Sequence, residues 1–249
     1  MSIDIDDYSA KYADQYARRT FETVLVAVRR DQVLQAMARY SHRRVLEVGC
    51  GLEPLFTSCD AWEQFTVVEP SAEFAGRARS LAEGRGDIRV VQAFFEEATR
   101  QLATPPPDFV AVSSLLHEVE DPRRLLRSIH AVCAPETVVH LNVPNVRSFH
   151  RLLALEMGII ADLFEASELE RRFQRHTRFD MDALTRMVAD EGFTVERSGS
   201  YFVKPFTHAQ MQAMLDAKII DASVIRALTT MTAHLPGMGS EIFVDVRRR

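Results

Sequence analysis

The chain has 249 residues, 47% of them hydrophobic and 26% charged, with a formal net charge of -5. That length carries one large domain or two small ones, with core enough to need no staples. The acidic balance argues against a broad nucleic-acid face. Three scattered cysteines (Cys50, Cys59, Cys133) make neither a disulfide framework nor a zinc site, and no apolar run reaches the roughly 20 residues of a membrane span.

The segment Met1 to Tyr16 is polar and acidic and lacks the apolar stretch of a signal peptide, so a cytoplasmic protein is expected. Tyr8, Tyr12 and Tyr16 recur every four residues, one stripe on a helix. From Thr20 to Tyr40 apolar residues fall at helical spacing, which predicts one or two amphipathic helices. The period then changes. Arg44–Val48 is a short β-branched run ending in Gly49-Cys50-Gly51, the pattern of a buried parallel strand followed by a tight turn. Phe65–Val68 is a second strand, closed by Glu69-Pro70. Ser71 to Glu83 reads as a helix with Ser71 as its N-cap. Further strands are expected at Ile88–Val91, Asp108–Val112 and Thr137–Asn142, with a helix opened by Asp121-Pro122 and running to about Val132.

Strands and helices alternating in this way predict βαβ units and a parallel sheet covered on both faces. Beyond Pro144 a helical stretch from Phe149 to about Phe173 is expected, then a helix over Asp180–Glu191 that stops at Gly192. Two late strands follow, Val195 to Val203 and Glu241 to Val246. A hairpin needs about 2–5 residues between them. The segment Phe206 to Gly239 is far longer, so it reads as a helical insertion at the rim.

The residues that carry chemistry begin with Val45-Leu46-Glu47-Val48-Gly49-Cys50-Gly51. A strand ending in two glycines lets the backbone turn sharply and approach a ligand, and open α/β sheets bind ligands at these strand ends. Glu69 ends the next strand, where a carboxylate can accept both hydroxyl protons of a ribose. Together they imply a bound nucleoside. A dinucleotide site would want a third glycine and room for a pyrophosphate. Here Leu52-Glu53-Pro54 follows, and Glu53 would face that anion. An acidic loop suits a ligand with a cationic amino-acid end. Dinucleotide and sulfonium nucleosides both stay open on the residues alone, with the second better matched.

These motifs resemble class I S-adenosylmethionine (SAM) dependent methyltransferases, particularly those acting on small molecules. The carriers are the first motif above, then Val67-Val68-Glu69-Pro70-Ser71 and Asp108-Phe109-Val110 leading to Ser113-Ser114-Leu115-Leu116-His117-Glu118. His176 to Leu184 with Glu191-Gly192-Phe193 resembles the family's approach to its sixth strand. The resemblance spans about residues 43–200 and the last strand. It departs where many members have a further glycine, at Leu52 or Glu53.

The resemblance implies an α/β fold: a doubly wound, seven-stranded, mostly parallel Rossmann-like sheet whose sixth and seventh strands form an antiparallel edge pair. It implies one domain over 1–249, with a helical cap drawn from 1–40, 147–178 and 206–238. Glu47, Gly49 and Gly51 would line the methionine end of SAM and Glu69 would hold the ribose. Phe94 or Phe95 would flank the adenine, Ser114 would run beside the cofactor, and Tyr8 or Tyr12 would close over it.

His117 follows the fourth strand and is the candidate general base, since its unperturbed pKa lies near neutrality. His150, Arg151, Lys204 and His208 are candidate acceptor contacts; lysine is rare here, with only Lys11, Lys204 and Lys218. No carboxylate cluster stands at metal spacing, and His140, inside an apolar strand, reads as core. The expected activity is methylation of a small-molecule acceptor. O-methylation of a sugar, nucleotide sugar or specialised metabolite comes first, and N- or C-methylation or SAM binding without transfer are the alternatives. A monomer or homodimer without nucleic-acid or membrane partners is expected.

Overall fold

A computed structural model describes residues 5–17, 21–102, 105–166 and 177–249. The side chains of Tyr8 and Tyr16, and residue His176, lie outside what is described. Helices α1 (Ile5–Ala17) and α2 (Phe21–Met37) lead into β1 (Arg44–Val48). Then come β2 (Gln64–Val68), α3 (Ala72–Leu81), β3 (Ile88–Val91), α4 (Phe95–Leu102), β4 (Phe109–Ser113), α5 (Pro122–Val132), β5 (Val138–Pro144) and α6 (Phe149–Glu156). The chain closes with α7 (Met181–Asp190), β6 (Phe193–Tyr201), α8 (His208–Asp216), α9 (Ala222–Thr230) and β7 (Glu241–Arg248).

The seven strands lie in the order β3-β2-β1-β4-β5-β7-β6. Strands β1 to β5 pair in parallel, and β7 runs antiparallel to both β5 and β6. This is the mostly parallel sheet with an antiparallel edge pair that the motifs imply. The order reverses between β1 and β4, so the loops after them part and leave a crevice at their carboxyl ends.

Both sheet faces are covered, which explains why the central strands read as unbroken apolar runs. On one face Leu46, Val110 and Val112 pack with Phe95 and Ala98 of α4, Leu125 and Ile129 of α5, and Leu184 and Val188 of α7. On the other, Val45, Phe65 and Phe109 pack with Val33, Ala36 and Met37 of α2 and Ala78 of α3.

The helix caps follow their sequence signals. Ser71 Oγ accepts from the Phe74 N–H, Asp121 from the Arg124 N–H and Asp180 from the Ala183 N–H. The largest departures from the expected bounds fall in two elements. The helix that starts at Phe149 ends at Glu156, where Gly158 takes a left-handed turn (φ 67°), and the expected far end of that helical stretch, near Phe173, lies outside the described residues. β6 starts at Phe193 and ends at Tyr201, because Phe193 is fully buried under α5 and Phe202 turns left-handed (φ 59°), ending the strand.

The 206–239 insertion forms α8, α9 and a short 3-10 turn. Met211 of α8 is buried in a third cluster with Phe21 and Leu25 of α2 and with Tyr201, Phe202 and Phe243. Helix α2 therefore has two working faces. Phe21 and Leu25 anchor it to the insertion, while Glu22, Val26, Arg29, Arg30 and Val33, at helical spacing, look into the crevice.

Candidate active site

The main cleft lies at the carboxyl ends of β1, β2, β3 and β4 and is roofed by α1 and α2. Its floor is the turn Gly49-Cys50-Gly51. Gly49 (φ 75°) and Gly51 (φ 55°) both hold the left-handed conformation that a Cβ disfavours. A Cβ on Gly49 would sit 3.2 Å from Leu115 Cδ2, and one on Gly51 would meet only the ring of Tyr12 at 3.8 Å. Tyr12 thus reaches from α1 across the turn, packed edge-on to Phe74 with ring centres 5.9 Å apart. Beside it, Ser9 Oγ donates to Ser71 Oγ at 2.7 Å, joining α1 to the cap of α3.

Glu69 organises this turn. Its Oε2 accepts from the backbone N–H groups of Cys50 (3.0 Å) and Gly51 (3.3 Å), and its Oε1 accepts from Ser71 N–H (2.9 Å). Burial raises its pKa, and the three donors oppose that rise. Glu47 is also buried. Both its oxygens face the Leu55 N–H at 3.0–3.1 Å, and burial pushes its pKa up to about 8, with Glu69 adding to the rise. The far wall comes from the turn after β3, where Phe94 is 45% exposed and Phe95 is buried, with Glu96 beside them.

The floor continues into Ser113, Ser114 and Leu115 after β4. Ser114 is left-handed (φ 55°), unusual for a residue with a Cβ. Outliers of this kind gather at ligand sites. Asn142, from the neighbouring end of β5, holds it through its carbonyl O (3.0 Å) and its side-chain Oδ1 (3.1 Å).

The sequence candidates divide in two. Glu47, Gly49, Gly51, Glu69, Phe94, Phe95, Ser114 and Tyr12 all line this cleft. His117, His150, Arg151, Lys204 and His208 do not. The His117 ring is 3% exposed, and its Nε2 lies 3.4 Å from Glu118 Oε1. The neighbour Glu118, not His117, faces the cleft.

The other four gather behind the roof. Burial, then the charges of Lys204, His208 and Arg151, depress the pKa of His150 well below its ordinary value, so it is neutral. Arg151 Nη2 donates to the carbonyls of Leu163 and Glu165. His208 Nδ1 lies 3.9 Å from Glu22 Oε2. The segments 147–166 and 206–238 contribute no residue to the cleft's lining.

Sequence reasoning missed the inner face of α2. Arg29 donates to Glu22 Oε1 at 2.6 Å and to Glu241 Oε1 at 2.8 and 3.0 Å. Despite burial, Glu241 and Glu22 hold its pKa above the ordinary value. Arg30 is paired with Glu53. The signal that would have found this face was the 22, 26, 29, 30, 33 spacing, hidden in a helix whose opposite side is also apolar.

These residues fit SAM. The two glycines keep the turn open, Glu69 borders it from the end of β2, Phe94 presents an exposed ring face, and the lining is rich in carboxyl groups. Among the described residues no group of three His, Cys, Asp or Glu is placed to hold a metal ion, and no helix is long and apolar enough to cross a membrane.

A family model described as a methyltransferase domain matches residues 16–198. Among solved structures, a SAM-dependent methyltransferase from Mesorhizobium loti superposes with a TM-score of 0.54 at 17% identity, covering 87% of this chain and 96% of that one. A possible histamine N-methyltransferase from Thermotoga maritima gives 0.60 at 14% identity, covering 98% and 99%. A plantazolicin methyltransferase, solved with S-adenosylhomocysteine (SAH), gives 0.59 at 12% identity, covering 96% and 90%. At these identities the likeness to solved structures is one of fold. Among curated proteins, none matches the chain by sequence.

Proposed function

Because the chain belongs to the methyltransferase-domain family and is a class I enzyme whose cofactor is SAM, we propose that it methylates an amine nitrogen of a small molecule that is neutral or cationic where it meets the cleft. One observation carries this reading. Among the described residues lining the cleft, Glu22 and Glu53 hold the two arginines and Glu47 is protonated below about pH 8, while Glu69, Glu96 and Glu118 add three more carboxyl groups to a lining that has no third arginine. An anionic acceptor would enter a negative field with no uncommitted arginine on the wall to meet it. Charge complementarity of this kind sets specificity. The superposed possible histamine N-methyltransferase supports the same direction.

Bound SAM supplies a methyl on a sulfonium, an electrophile that needs no further activation. The chain's own work is then positioning. Glu69 and the glycine turn fix the nucleoside end, Ser114 and Leu115 shape the floor, and Val26 and Val33 of α2 close the roof against water. Glu118 is the carboxylate on the cleft wall beyond β4 and is the group to take the acceptor's proton. His117 stands behind it, 3.4 Å away. The amine attacks through its lone pair in the neutral form, the S–CH3 bond breaks to leave SAH, and the proton lost from the methylated nitrogen goes to Glu118 and then to solvent.

The same Glu118–His117 pair favours a second reading, O-methylation of an acidic hydroxyl, in which the proton taken by Glu118 passes on to the imidazole 3.4 Å behind it. In either case the chain acts as one catalytic unit, with α2 as roof and the 206–238 insertion as its brace.

The test is SAH formation from SAM with three acceptor panels: amines, phenols or sugars, and phosphate- or carboxylate-bearing compounds. Turnover on amines is expected. Turnover confined to the anionic panel contradicts the proposal, and turnover confined to hydroxyls selects the second reading.

A further inference from the structure

A closed chain of buried polar groups runs from the edge strands to the cleft floor. His140 on β5 and Asp245 on β7 face each other across the antiparallel ladder, and both are fully buried. Their contact is short, 2.6 Å between His140 Nδ1 and Asp245 Oδ1. The other carboxylate oxygen accepts from Arg197 Nη1 (2.9 Å) and Tyr40 OH (3.3 Å). Burial pulls the Asp245 pKa upward, but the His140 hydrogen bond and the Arg197 charge hold it below the ordinary range. Asp245 is therefore a carboxylate and can only accept.

Hydrogen-bond polarity follows step by step. Since Asp245 only accepts, His140 Nδ1 carries the proton. His140 Nε2 lies 3.4 Å from Asn142 Nδ2. Two nitrogens make a hydrogen bond only if one donates, and the amide is the donor here. That fixes the amide's orientation. Asn142 Oδ1 then points to the Ser114 N–H (3.1 Å), and Ser113 Oγ sits within reach of both amide atoms, 3.0 Å from Nδ2 and 3.2 Å from Oδ1. Turned the other way, the amide would set its NH2 against the Ser114 N–H, donor against donor. Ser114, held at φ 55°, in turn places Leu115, whose side chain packs on Gly49.

We propose that Asp245, His140 and Asn142 form a positioning relay that orients the Asn142 amide, so that it clamps the left-handed Ser114 and sets the cleft floor for the cofactor. The relay lies outside the motifs that carry the family resemblance, and it rests on the reading of the cleft as the SAM site.

The test is calorimetric titration with SAH of the wild type, Asn142→Ala, Ser114→Gly and the double variant, with thermal melts. It is paired with 15N NMR of the histidine rings, His140 being assigned by its loss in His140→Gln. Asn142→Ala keeps the main-chain bond from Ser114 N–H to the residue 142 carbonyl and loses the side-chain half of the clamp, which weakens SAH binding by about tenfold. Glycine at 114 adopts φ 55° unaided, so the double variant recovers most of that loss. An Asn142 that only stabilised the fold would lower the melting temperature without this rescue. In the wild type, His140 is expected as the neutral tautomer with the proton on Nδ1.

Unchanged SAH binding by Asn142→Ala, or a proton on His140 Nε2, overturns the relay. If Asn142→Ala does not fold, the tautomer measured in the wild type decides alone. Absence of SAH binding by the wild type overturns the cofactor-site reading itself, a result distinct from either.

Discussion

The Cys50 backbone N–H donates to Glu69 Oε2 at 3.0 Å, so the glycine turn after β1 and the acid ending β2 form one unit. Gly51 and Ser71 donate to the same carboxylate. Glu69→Ala leaves the buried Cys50 and Ser71 N–H groups and the half-buried Gly51 N–H without their acceptor. It is expected to cost about 2–4 kcal/mol of stability. Urea unfolding monitored by circular dichroism measures this, and a loss indistinguishable from zero shows that solvent replaces the carboxylate there.

Glu47 gives a pH dependence. Its folded pKa is about 8, above the 4.5 of a free glutamate, because it is buried. The folded state thus binds the proton more tightly. The associated stability is complete below about pH 4.5 and is lost as pH rises through about 8. Glu47→Gln keeps a neutral side chain at every pH. Its stability relative to wild type should therefore rise between pH 6 and 9 by about 3 kcal/mol. Parallel pH dependences in the two proteins contradict the assignment.

The two glycines of the turn should respond unequally to alanine. Both pay for a left-handed Cβ, about 1–2 kcal/mol. Only Gly49→Ala also presses on Leu115, at 3.2 Å, and so disturbs the floor that Asn142 and Ser114 set. The larger loss of SAH affinity is expected from Gly49→Ala, and calorimetry of both variants decides the order.

Phe21 shows what the insertion does. It is fully buried between Phe202 and His208, with ring centres 6.1 and 6.0 Å away. Phe21→Ala is expected to cost about 3–5 kcal/mol. Because α2 carries the cleft's roof on its other face, hydrogen exchange of α2 amides should rise throughout the helix. Faster exchange limited to α8 would mean that the insertion does not brace the roof.

The sheet was legible because its signals are local. A β-branched run ending in glycine, an acid at the next strand end and a Ser or Asp cap each need only a few neighbours, and Glu47, Gly49, Gly51 and Glu69 all line the cleft as that reading expects. What the sequence could not display depends on contacts between distant residues. Nothing in Phe206 to Gly239 says that it packs behind α2 instead of over the cleft. His117 and Glu118 are adjacent, and only the shape of the turn decides that the carboxylate faces inward. His140 was legible as core, but its partner Asp245 lies 105 residues away. The amide of Asn142 has meaning only beside the strained Ser114.

The central claim is that Glu69 and the glycine turn hold the cofactor. Calorimetric titration of wild type and of folded Glu69→Ala with SAH tests it most directly. Saturable one-to-one binding by the wild type, weakened at least about tenfold in the variant, is the expected result. Equal affinity in the two proteins would contradict the account, because the cofactor would then bind without the acid on which the turn is built.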